Sequence, residues 1–99
     1  MEKTVFVKTQ LPAATRSYTR QNGEQVTIKN VNVVLTDGID TFVAEAGGRL
    51  ADQLEAEPLD SSSFYRVQCN LEVYSWTNKD SKVTDYATRV RIIKIAKIS

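Results

Sequence analysis

Ninety-nine residues, 41% hydrophobic and 25% charged with four glycines and two prolines, make one domain with a single small core. That composition excludes collagen-like, low-complexity and largely disordered classes. Net charge is +1, but its distribution is uneven: residues 1–33 carry +3, residues 34–63 carry −6 and residues 64–99 carry +4, a segregation that suits one basic and one acidic face.

No apolar run exceeds three residues, as in Val33-Val34-Leu35, so neither a membrane span nor an apolar leader is expected. The only cysteine, Cys69, cannot form an internal disulfide, which points to a reducing, cytoplasmic setting. The chain has no histidine, the commonest general base and metal ligand. A binding module without cofactor or metal is therefore expected rather than an enzyme. Asp37 and Asp40 lack the further ligands of a calcium loop, and Gly47-Gly48 lacks the rest of a phosphate loop.

Glu2 to Leu11 alternates as a strand, with Val5, Val7, Thr9 and Leu11 on one face. Pro12 stops it, and residues 12–24 read as a polar loop ending in the turn pair Asn22-Gly23. Gln25 to Thr36 is the second strand. Its apolar phase changes between Val26/Ile28 and Val31/Val33/Leu35, so a bulge near Lys29-Asn30 is expected to keep both sets inward. Asp37-Gly38 suits a two-residue hairpin turn, which would set Phe42 of the third strand, Ile39 to Glu45, across from Val33.

Ala46 to Glu57 is the one helix candidate, with Leu50, Ala51 and Leu54 on a narrow apolar stripe and Pro58 ending it. Phe64 to Trp76 alternates most cleanly. Tyr65, Val67, Cys69, Leu71 and Val73 are expected in the core, and Phe64, Tyr74 and Trp76 face outward. Residues 77–85 read as a polar turn. In the last strand, Tyr86 to Ile98, Tyr86 is in phase with Val90 and is expected in the core. Val90/Ile92 and Ile93/Ile95 fall in opposite phases, so this strand is bulged or buried on both faces.

The order β-β-β-α-β-β with long strands fits an all-β domain with one short helix, spanning residues 1–99. It resembles the five-stranded Greek-key barrel of the oligonucleotide/oligosaccharide-binding (OB) fold, with another small barrel or a one-helix α+β sheet as the alternative. In that fold ligand crosses the second and third strands between the 1–2 and 4–5 loops. Here the first loop carries Arg16, Tyr18 and Arg20 in alternation, and the second carries Tyr74, Trp76, Lys79 and Lys82. Aromatic rings stack on unpaired bases while cations follow phosphates, so two such loops point to single-stranded nucleic acid. Lys29 is a further candidate contact, with a solvated strand charge as its other reading.

In size, strand order and loop character the chain resembles the bacterial single-stranded DNA-binding protein and primosomal replication protein N group. The stretch Tyr74-x-Trp76-x-Asn78-Lys79-Asp80 is similar to that family's fourth-strand edge and following loop. The resemblance implies non-catalytic binding of single-stranded DNA rather than RNA, in replication, recombination or repair. The sequence closes on Lys97-Ile98-Ser99 without the family's acidic tail, which suits a short accessory, phage or mobile-element type. A homodimer is expected, because Ile92, Ile93, Ile95 and Ile98 exceed one core face. The competing reading is a protein-interaction module using Phe64, Tyr74 and Trp76.

Overall fold

The computed structural model describes residues 1–98. It contains β1 (Glu2–Gln10), β2 (Ala14–Thr19), β3 (Gln25–Thr36), β4 (Thr41–Gly47), α1 (Gly48–Ala56), β5 (Phe64–Thr77) and β6 (Thr84–Lys97). Antiparallel pairings join β1 to β3, β3 to β4, β5 to β6 and β1 to β5. A parallel bridge between Glu45 and Arg91 joins β4 to β6 and completes the circuit. These pairings, with the helix placed between β4 and β5, define the barrel. It is an OB fold.

The core follows strand alternation. Val5 and Val7 of β1, Val31, Val33 and Leu35 of β3, Ala44 and Ala46 of β4, Tyr65, Val67 and Cys69 of β5 and Ile92 of β6 are buried together. Burial pushes the Cys69 thiol up and leaves it a small core hydrophobe. Helix α1 adds Ala51 and Leu54 at one end. It ends where Glu57, held out of helical geometry ahead of Pro58, donates its backbone N–H to Gln53 at 2.8 Å.

Several expectations need correction. The 12–24 segment is not all loop: after Pro12-Ala13 the chain resumes pairing along the same edge of β3 as β2. Pro12 lacks an N–H, but the interruption is local. The bulge expected in β3 is absent from its one-to-one ladders with β2 and β4; Val26 and Ile28 instead lie on the face opposite Val31. A bulge occurs in β1, where Lys8 is the extra residue between the Val7–Leu35 and Thr9–Val34 pairs. It turns Gln10, not Thr9 or Leu11, toward the helix end. There Gln10 Nε2 donates to the Leu54 carbonyl and Oε1 accepts from the Leu59 N–H, both at 2.9 Å.

The Asp37-Gly38 turn spans four residues, not two. Asp37 Oδ1 accepts the backbone N–H groups of Ile39 and Asp40, and Lys3 Nζ meets Oδ2 at 2.8 Å. Phe42 consequently pairs with Leu35, two residues from the expected Val33, and still packs on the core. In β6 the two-phase pattern is a bulge: Ile93 is the extra residue between the Val67–Ile95 and Cys69–Ile92 pairs. Ile92 and Ile95 both turn inward, and Ile93 is exposed.

Strands β5 and β6 pair along their whole length to Thr77–Thr84, with extents for the whole chain of 47 × 32 × 19 Å. The barrel uses only the first half of β5 and the second half of β6. Leu71, Val73 and Tyr86, expected in the core, are 59%, 71% and 70% exposed, because the hairpin leaves the barrel as an arm while its alternation continues.

Candidate nucleic-acid interface

In an antiparallel ladder, residues directly opposite share a face. The pairs Tyr18–Val26, Arg16–Ile28 and Ala14–Asn30 join β2 to β3. Asn30–Gly47, Asn32–Glu45 and Val34–Val43 carry the same face onto β4. The Glu45–Arg91 bridge takes it to β6, and Asn70–Arg91, Glu72–Arg89, Tyr74–Ala87 and Trp76–Asp85 take it out along the β5–β6 arm. One continuous outer face thus links the β2–β3 arm to the β5–β6 arm.

Two adjoining clefts of about 230 Å³ each cross its centre. Asn32, Val43 and Tyr74 line one, Ala14, Arg16 and Asn30 the other, and Glu45 and Arg89 line both. The Arg89 guanidinium lies 5.0 Å from the Tyr74 ring centre, and its Nε stands 3.6 Å from Glu45 Oε2. Tyr74 and Trp76 follow along the arm with ring centres 5.6 Å apart and planes tilted by 30°, each about half exposed. At Gly47 a side chain would meet Arg91 Nη2 and Asn30 Oδ1, each at 3.2 Å, so the glycine lets both groups lie close over the strand end.

The sequence-predicted residues divide. Arg16 and Tyr18 lie on the face, and Tyr74 and Trp76 lie on the arm across from them. Arg20 sits in the turn after β2 beside Glu24, at 3.6 Å. Lys79 and Lys82 stand at the tip of the β5–β6 arm, where Asn78 Oδ1 accepts the Asp80 N–H at 2.8 Å. Lys29 points the other way. Its Nζ meets Glu55 at 2.8 Å and Asp52 at 3.0 Å on α1, and those hydrogen bonds, Glu55 first, hold its pKa above the ordinary lysine value. Among the described residues, Arg16, Arg91, Lys79 and Lys82 have no carboxylate within ion-pair distance.

Sequence reasoning missed Arg89, Arg91, Asn30, Asn32 and Glu45. A signal existed: Arg89 and Arg91 alternate with Val90 and Ile92, so burial of the isoleucine turns both arginines outward.

No protein-family model and no curated protein matches the chain. Among solved structures it is similar to a small single-stranded DNA-binding protein from Streptomyces coelicolor. The identity is 17%, the alignment covers 99% of this chain and 92% of that chain, and the TM-score is 0.49. The fold assignment rests on the strand pairings themselves.

Proposed function

We propose that the protein binds single-stranded nucleic acid, without catalysis, across the outer face of β3 and β4 between the two arms. The observation that carries this reading is the placement of Arg16, Tyr18, Arg89, Arg91, Tyr74 and Trp76 on one sheet face. Half-exposed rings offer stacking surfaces to unpaired bases, and Arg16 and Arg91 follow the phosphates. The face is also the ligand-binding side of OB barrels generally. Duplex hides its base faces, so it cannot use the rings. DNA is preferred over RNA in this reading, following the resemblance of the Tyr74–Asp80 stretch, and the setting is replication, recombination or repair.

The competing protein-interaction reading finds support on the opposite side of the same arm, where Leu71, Val73 and Tyr86 are exposed. We assign that side to a second copy of the chain, so that one arm face serves the homodimer and the other the nucleic acid. Titration of oligo-dT, oligo-rU and duplex at two salt concentrations tests the binding reading. With roughly four phosphate contacts, log K against log salt should have a slope of about −2.8. Equal affinity for duplex, or a flat salt response, overturns it.

A further inference from the structure

A carboxylate at the centre of a phosphate-binding face is out of place electrostatically, yet Glu45 lines both clefts and its side chain is only 21% exposed. A strand running from Arg16 to Tyr74 must pass over it. A phosphate there would meet a like charge, so the strand has to turn a base edge toward Glu45 instead. The neighbouring groups define which edge fits.

Arg89 Nε stands 3.6 Å from Glu45 Oε2, beyond hydrogen-bond distance, so neither group consumes the other's donors or acceptors. The pair therefore presents an arginine donor fork beside two carboxylate acceptor oxygens. Guanine presents the complement along its Watson–Crick edge: the O6 acceptor, then the N1–H and N2–H donors. Thymine and uracil would set a carbonyl oxygen against the carboxylate. Adenine and cytosine offer one amino group beside an acceptor nitrogen. Tyr74, under the Arg89 guanidinium at 5.0 Å, fixes the arginine at the edge of the same cleft.

We propose that Glu45 and Arg89 form a guanine-reading subsite, with Glu45 accepting N1–H and N2–H while Arg89 donates to O6. The assignment rests on the single-strand reading above and adds base preference to it. A protein that only coats backbone has no use for a half-buried carboxylate at this position.

The test is Trp76 fluorescence titration with a short dT strand and with the same strand carrying one central dG, dA or dI. The dG strand should bind about tenfold more tightly than dT, within the range of a bidentate base contact. The dA strand controls for purine stacking and should gain less. The dI strand lacks the N2 amine and should fall between dG and dT. In Glu45→Gln, with folding checked by melting temperature, the dT strand should bind more tightly for want of the negative charge, and the dG advantage should disappear. Equal binding of dG and dT strands by the parent, or a dG advantage that survives Glu45→Gln, overturns the subsite while leaving single-strand binding intact. If no strand binds, both readings fail.

Discussion

Lys29 Nζ reaches Glu55 Oε1 at 2.8 Å, tying the middle of β3 to α1. Its neighbours Ile28 and Asn30 lie on the other face of the same strand, beside Arg16 and Gly47. Alternation therefore divides one three-residue stretch between scaffold and the proposed interface.

This division separates two charge removals that look alike in sequence. Lys29→Ala should lower the melting temperature, because α1 loses its contacts through Glu55 and Asp52, and should leave the salt slope of binding where it was. Arg16→Ala should leave the melting temperature nearly unchanged and reduce the magnitude of the slope by roughly 0.7, the loss of one phosphate contact on a single strand. A slope change in Lys29→Ala would instead put that lysine on the strand's path.

Trp76 is the only tryptophan, so its emission reports one place on the β5–β6 arm. It is 48% exposed and lies outside the buried core, so Trp76→Ala should melt close to the parent. A base stacked on it should quench its fluorescence, and its removal should cost about 1–3 kcal/mol of oligo-dT affinity. Tyr18→Ala, on the facing arm, should weaken binding in the same direction. Parent-like affinity in both variants, each folded, would sink the stacking site.

The sequence made the barrel legible because three signals agreed: the alternation of Tyr65, Val67 and Cys69, the helix stripe of Ala51 and Leu54, and the punctuation at Pro12, Gly38 and Pro58. It misplaced Leu71, Val73 and Tyr86 because alternation reports which face a residue takes, not whether anything covers that face. Residues in the core phase are buried only where the barrel closes over them, and closure depends on strands distant in sequence. The bulges at Lys8 and Ile93 are set by the same closure. Of the proposed interface, the half carried by Arg16, Tyr18, Tyr74 and Trp76 is readable in sequence as aromatic and basic residues near the two loops. Alternation with Val90 and Ile92 turns Arg89 and Arg91 outward, but their meeting with Glu45 follows from the parallel pairing of β6 with β4, between residues far apart in the chain.

Two carboxylates, Asp37 and Asp60, are held below the ordinary carboxylate range. Hydrogen bonds from the Ser62 hydroxyl, the Ser62 N–H and the Ser63 hydroxyl, with Lys97 nearby, hold Asp60 down to about 2 from an ordinary 3.8. Asp37 is held well below the ordinary range, first by Lys3 and then by the N–H groups of Asp40 and Ile39. A depressed carboxylate contributes stability that is complete above its unfolded value and is lost as pH falls through the folded one. Stability from these groups should hold from neutral pH to about 4, then decline toward pH 2 as Asp60 protonates, with the Asp37 contribution lost lower still. Denaturant unfolding of Asp60→Asn should show a shallower decline between pH 4 and pH 2 than the parent. An identical decline would mean that the Ser62–Ser63 turn does not depend on the charge.

The remaining prediction concerns the uncovered side of the β5–β6 arm. Leu71 pairs with Val90, Val73 with Thr88 and Ser75 with Tyr86, so Leu71, Val73 and Tyr86 form a charge-free strip continuous with the core phase. Exposed contiguous apolar surface is a common place for proteins to associate. A two-fold axis could set one arm's strip against its copy's, since an isologous contact needs only one self-complementary patch. Of the four isoleucines in excess of one core face, Ile92 and Ile95 turn to the core, while Ile93 and Ile98 are exposed. Light scattering at tens of micromolar should therefore give a dimer mass for the parent and a monomer mass for a Leu71→Lys/Val73→Glu double variant. The double variant should keep the parent's fold, because both side chains stand outside the barrel. It should also retain quenching of Trp76 by oligo-dT, because Tyr74 and Trp76 lie on the arm's other face. A parent that runs as a monomer at that concentration removes the dimer, and loss of quenching in the double variant would show that the two faces of the arm do not act separately.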